Sequence, residues 1–371
     1  KTLQGPDAFI HDLINIFCKS LPSQHEALQR ALRMLSNKYS GTPIILMTEG
    51  LNFGAFPVIL GAPGIRPTGF LVVGLNPIFM SSVDHPPFGP GLPPDSSPEG
   101  KERNKAANES QKEFFAQAQT TFTEALSSVG AKKPEVFLLD AIYRLSDRFI
   151  QLCTPSVEYP RSDAPETLRF AGGYPKALRG LTPTRPTWWH EVTDNGSKRI
   201  VFVCQGTAAT ELNQLVIPTM SAFRLRSQII IVVALGKRGA TLPADVEVPS
   251  NCRVADYISY DDVLPHCDVF ITTGGYGAFQ RALANGTPMV ISGTTEDKPE
   301  TAARGQWAGV AVNLQTSNPS TEQLKDAVDE VLGNERYKTR ATEIQAEMAT
   351  YDPMGVIIEN IDELAGRSAI I

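Results

Sequence analysis

"CDVFITTGGYGAFQRALANGTPMVISGTTEDKPETAARG", residues 267–305, joins an apolar run, a glycine pair, a helical stretch, a second apolar run and an acidic loop. The runs at 268–274 and 289–293 are continuous rather than alternating, the pattern of strands buried on both faces of a parallel sheet. Similar runs occur at 199–206, 228–236, 252–258 and 309–314. Stretches such as 208–225 and 275–285 suit crossover helices between them. Further on, Ser320-x-x-Gln323 forms a capping box that opens another helix, with Gly333 to close it. These features predict a doubly wound α/β domain.

The first half reads differently. It opens on helical patterns, "DAFIHDLINIFCKSL" and "SQHEALQRALRMLSNKY", and its strands are expected at 43–50, 69–75 and 135–142. Residues 81–110 hold six prolines and are expected to form a long loop. A Gly-, Pro- and Arg-dense linker spans 170–191. The expected organisation is a first domain at 1–180, a second at 188–345, and a C-terminal helix at 346–371 that crosses back to the first. At 371 residues, with 42% hydrophobic and 20% charged residues, the chain suits two globular domains. Its net charge of −6 argues against nucleic-acid and membrane-surface partners. Its five cysteines form no CxxC, which argues against a disulfide framework or zinc site. No apolar run reaches the roughly 20 residues of a membrane span. The first residues lack the apolar core of a signal peptide, so a cytoplasmic location is expected.

Ligands of doubly wound sheets bind at the carboxyl ends of the strands. Thr272-Thr273-Gly274-Gly275 lies at such an end and runs straight into a helix, whose free N–H groups and dipole suit a pyrophosphate. Gln205-Gly206-Thr207 is a second turn of this kind. Glu296 and Asp297, just past the next strand, are acceptors suited to sugar hydroxyls. The alternative is that these are tight turns and nothing more.

Residues 254–312, through the "GGYG" turn and the "TEDK" loop, resemble the donor-binding signature of the family-one UDP-dependent glycosyltransferases. "TEG" at 48–50, "PFGPGLPPD" and "EYPRSD" extend the likeness toward the N-terminus. The resemblance implies two Rossmann-like doubly wound domains, the glycosyltransferase-B fold. It implies transfer of a sugar, glucose by expectation, from a UDP-sugar co-substrate to a hydroxyl of a hydrophobic small molecule such as a phenol, polyketide or terpenoid. Inversion, no metal and no other cofactor are implied with it.

Roles follow the matching positions. Tyr257 would stack on the uracil and the Ile258 backbone would face the base edge. Thr273 stands where many members place a histidine on the diphosphate, and Gly274, Gly275, Gly277 and Ala278 lie beside the phosphates. Gly206 and Thr207 belong to the first turn. Asp297 and Lys298, with Glu296, would hold the sugar. Arg281 replaces a glutamate that holds the ribose hydroxyls in many members. Arg304 is expected on a solvated helix face, or as an extra cation. Glu49, at the end of a strand expected to be buried, matches the carboxylate that orients a histidine general base toward the cleft between domains. None of the five histidines fits that base. The first domain is therefore expected to be incomplete, its histidine lying in a segment absent from this chain or supplied by another. A non-catalytic auxiliary protein of the same fold and a nucleotide-sugar epimerase are the alternatives.

Overall fold

The computed structural model describes residues 5–175, 185–206 and 211–366. The chain forms two units. The first comprises Lys1–Pro155, Tyr159–Gly172 and Tyr351–Ile371; the second comprises Ser156–Glu158 and Gly173–Thr350.

The sheet of the first unit holds β1 (Ile45–Glu49), β2 (Gly69–Gly74), β3 (Arg148–Gln151) and β4 (Leu168–Phe170), all parallel and in sequence order. A continuous apolar sequence makes β2 a central strand, with Phe70, Leu71 and Val72 buried. Its core is aromatic. Phe53 meets Phe122 edge-on at 5.3 Å between centroids, and Phe56 packs on both Phe70 and Phe122 at 6.1 Å. The C-terminal helix Pro353–Leu364 belongs to this unit. Arg148 of β3 donates to Asn360 at 3.1 Å, and a Cβ on Gly69 would stand 2.8 Å from that of Leu364.

Three expectations are corrected here. Residues 135–142 hold no strand; Leu138–Arg144 is a helix, and β3 and β4 follow it. A short apolar run fits a buried helix as well as a buried strand, and Leu138, Leu139, Ala141, Ile142 and Tyr143 are all buried. The loop expected across 81–110 ends at Pro98, which opens the helix Pro98–Phe114 behind a Ser97 cap. Side chains fix the remaining loop. Asp140 accepts from the Ser81 N–H at 2.8 Å, Asp163 from the Ser82 hydroxyl at 2.7 Å, and Asp84 from the Ser162 hydroxyl at 2.7 Å. Finally, β1 is an edge strand rather than a buried one, and Met47 and Glu49 are exposed.

The second unit is built on β5 (Arg199–Cys204), β6 (Ile229–Ala234), β7 (Cys252–Ala255), β8 (Val269–Thr272), β9 (Met289–Ile291) and β10 (Ala311–Asn313). All six are parallel, in the order β10-β9-β8-β5-β6-β7. This is the doubly wound topology, with its switch point between β5 and β8. Every residue of β6, β8 and β9 is buried, as their unbroken apolar sequences require. The Ser320–Gln323 capping box is present, with both reciprocal bonds made. After β5 the described residues hold the helix Val216–Phe223 within the 208–225 expected, of which 208–210 lie outside the described residues.

Arg304 is corrected as well. It is 1% exposed rather than solvated: Nη2 lies 2.7 Å from Glu158 Oε1 and Nη1 lies 2.8 Å from Glu300 Oε2. The two carboxylates compensate the guanidinium and hold the helix Lys298–Trp307 to the segment around Glu158.

Candidate functional site

The carboxyl ends of β5 and β8 are stitched together, since the Thr273 hydroxyl donates to the Gln205 carbonyl at 3.0 Å. Gly206 and Gly274 adopt left-handed φ of +85° and +88°. Close packing fixes two glycines here. A Cβ on Gly274 would fall 2.7 Å from Ile291 Cγ2, and one on Gly293 would fall 2.1 Å from the Thr273 carbonyl oxygen. At Gly275, which opens the helix Tyr276–Ala284 without a side-chain cap, a Cβ would meet nothing within 4 Å. Among the described residues the N–H groups of Gly275, Gly277 and Ala278 have no protein acceptor. Open space, free N–H groups and the positive end of a helix dipole together suit an anion.

Past β9 the chain turns at Glu296, whose φ of +59° is left-handed for a non-glycine residue. The Glu296 carboxylate takes the Lys298 ammonium at 2.5 Å, and Lys298 also donates to the Thr295 hydroxyl at 3.0 Å. Asp297 sits at the N-cap of the helix Lys298–Trp307, but its side chain makes no capping bond. Burial raises its pKa, against the pull of its own N–H and of Lys298. Its carboxylate is thus part-buried and is not used as a helix cap.

At the other end of the sheet, the segment after β7 lines a pocket of about 560 Å³ with Arg185, Trp189, Arg238 and Asp262. Tyr257 is 44% exposed there, with Ile258 buried next to it. The Asp256 carboxylate accepts from the N–H groups of Gly239 and Tyr257, both at 2.7 Å, and these bonds hold its pKa below the usual range. The Arg238 guanidinium lies over the Tyr257 ring, 4.8 Å from its centroid.

In the first unit, Glu49 ends β1 beside a crevice lined by Leu51, Phe79, Tyr143 and Phe149. Glu49 Oε2 accepts from the Leu51 N–H at 3.1 Å.

Residues 220–364 match the family model described as erythromycin biosynthesis protein CIII-like, C-terminal domain. UDP-glycosyltransferase 2 of Phaeomoniella chlamydospora is 41% identical over 369 residues, covering 97% of this chain and 79% of that protein. UDP-glucosyltransferase A1 of Starmerella bombicola is 39% identical over 362 residues, covering 97% of this chain and 76% of that protein. The chain belongs to the UDP-glycosyltransferase family. Among solved structures, the kitacinnamycin glycosyltransferase superposes on this UDP-glycosyltransferase with a TM-score of 0.69 at 20% identity, covering 98% of this chain and 84% of that one. The spinosyn rhamnosyltransferase SpnG with thymidine diphosphate gives a TM-score of 0.63 at 17% identity, covering 95% and 81%. The fold is therefore glycosyltransferase-B.

In this UDP-glycosyltransferase the residues expected at the donor follow the carboxyl ends of the strands of the second sheet. Tyr257 and Ile258 follow β7, Gly206 follows β5, Thr273, Gly274, Gly275, Gly277 and Ala278 follow β8, and Glu296, Asp297 and Lys298 follow β9. Thr207 lies outside the described residues. Two members of the set are already occupied: the Thr273 hydroxyl proton by Gln205, and the Lys298 ammonium by Glu296 and Thr295. Arg281 pairs with Asp261 at 3.3 Å and donates to the Pro175 carbonyl at 3.1 Å, so it contacts protein rather than an open pocket. Sequence reasoning missed Asp256, Arg238 and the Arg185–Trp189–Asp262 wall. Asp256, adjoining the singled-out Tyr257, was the one available signal.

Proposed function

We propose that this glycosyltransferase moves glucose from UDP-glucose to a hydroxyl of an apolar small molecule, with inversion and without a metal. The carrying observation is the order of groups along the carboxyl ends of the second sheet's strands: an exposed aromatic ring after β7, glycine turns after β5 and β8, and a carboxylate that caps no helix after β9. A UDP-sugar has the same order of parts, with base, diphosphate and sugar. The names of the relatives at 38–39% identity, UDP-glucosyltransferases, support glucose as the sugar.

In this reading uracil stacks on Tyr257 and the diphosphate meets the N–H groups of Gly275, Gly277 and Ala278. Asp297 accepts from sugar hydroxyls. The acceptor oxygen attacks the anomeric carbon, the bond to the UDP oxygen breaks, and a general base takes the acceptor proton. The N–H groups and helix dipole stabilise the charge that develops on UDP. That the acceptor is phenolic, polyketide or terpenoid follows from the family resemblance. Glu49 orients the base, a histidine by expectation; its Oε2 is engaged by Leu51, which leaves Oε1 for that task.

The test is to incubate the enzyme with UDP-glucose, a panel of phenols and EDTA, and to count UDP and glucoside together. Equal amounts of the two products, undiminished by EDTA, are expected. UDP released without glucoside, or turnover that needs added manganese, would contradict the proposal.

A further inference from the structure

The loop after β6, Lys237-Arg238-Gly239, lies one strand from the Tyr257 turn after β7 and one strand from the Gly206 turn after β5. Gly239 adopts a left-handed φ of +78°, and its N–H reaches Asp256 Oδ2, while Asp256 Oδ1 takes the Tyr257 N–H. One carboxylate thus ties the two loops together, and Arg238 lies across the Tyr257 ring at 4.8 Å. Stacked rings themselves need about 4.5–7 Å between centroids, so no base fits between the two groups. On that ring face, guanidinium and base exclude each other.

We propose that Arg238 is a displaceable cover that becomes the cation positioning the donor. On nucleotide binding it yields the ring face to the base and turns to the phosphates. This rests on the reading of Tyr257 as the base platform. Three observations support it. First, Arg238 is exposed and forms no ion pair within 4 Å among the described residues; it acts on its neighbour Asp256 through its charge alone, and that carboxylate accepts from the Gly239 and Tyr257 N–H groups. Second, two other cations of the site are held, while Lys237, beside Arg238 in the same loop, forms no ion pair among the described residues and does not lie on the ring. Arg185 pairs with Asp262 at 3.3 Å and lies over Trp189 at 5.3 Å, and Lys298 is bound to Glu296. Third, in the strand order its loop lies between the ring after β7, one strand away, and the N–H groups after β8, two strands or about 10 Å away; an extended arginine side chain together with the hydrogen bond it donates spans that distance. Magnitudes favour the exchange. An exposed cation–π contact is worth about 2- to 5-fold in affinity, and a charge-assisted bond to phosphate about 10- to 100-fold.

Uridine, UMP and UDP titrated into wild type, Arg238→Ala, Arg238→Lys and Tyr257→Ala test the exchange. Arg238→Ala is expected to bind UDP and UMP about 10- to 100-fold more weakly, while uridine binds as in wild type or up to about 5-fold more tightly. Arg238→Lys should retain part of the preference for UDP over uridine. Equal loss of uridine and UDP affinity in Arg238→Ala would make the arginine a fixed part of the platform and overturn the proposal; so would an unchanged UDP affinity. Tyr257→Ala isolates the underlying reading. It should weaken uridine and UDP alike, by about 10- to 100-fold if it behaves as other base–aromatic stacks do. Unchanged uridine binding in that variant would remove Tyr257 from the site, and the proposal with it.

Discussion

Asp297 combines two requirements that oppose each other. As an ionised acceptor it suits sugar hydroxyls, and yet burial raises its pKa, so the ionised form is disfavoured in the folded protein. A carboxyl whose folded pKa lies above its unfolded value of about 3.9 lowers stability above the folded pKa; that penalty disappears below the unfolded one. Asp297→Asn is therefore expected to melt higher than wild type at pH 7, with the gap closing as pH falls toward about 4. The side chain makes no capping bond, so asparagine removes none. Glucose transfer should fall about 10- to 100-fold, the worth of a hydrogen bond to a charged acceptor. Melting curves at both pH values and a transfer assay check the pair; a variant both less stable at pH 7 and fully active would remove Asp297 from the sugar site. Asp297 was legible in the sequence because "TEDK" follows an apolar strand. Arg238 was not. It stands alone in a loop with no periodicity, and only the fold brings it over Tyr257.

At the scale of elements, the turns after β8 and β9 depend on a contact that only glycine permits. Gly293→Ala would drive a Cβ to 2.1 Å from the Thr273 carbonyl oxygen, a backbone atom that cannot rotate away. Overpacking of this kind costs about 1–3 kcal/mol. The displaced Thr273–Gly275 turn should also weaken UDP binding. Urea unfolding and calorimetry on the variant measure both, and wild-type values for the two would mean that the turns are not coupled. Strands β5, β6, β8 and β9 were legible because both faces of the sheet are covered, which leaves unbroken apolar runs. The same rule misread 135–142, where an equally apolar segment is a helix buried on most sides. It also missed β3 and β4, four and three residues long, too short to carry a pattern. Arg304 was misread for a related reason: a charge four residues from Glu300 on a helix looks like a surface pair until Glu158, far away in sequence, is seen to close over it.

In the proposed function the chemistry is divided between the two units. The residues proposed to hold the donor belong to the second unit, and Glu49 belongs to the first. The doubly wound second unit and its glycine turns could be read from sequence. The surroundings of Glu49 could not, because the edge position of β1 depends on pairing with β2 alone, which no local pattern announces. Glu49 already caps its own turn through Leu51. Glutamine in its place keeps an oxygen for that cap and removes only the charge. The most direct test is therefore Glu49→Gln in the full-length enzyme, with glucose transfer and UDP affinity measured side by side. The account expects transfer to fall by about 10²- to 10⁴-fold, the range of general-base assistance, with UDP affinity unchanged. Wild-type turnover, or a parallel loss of UDP binding, would contradict it.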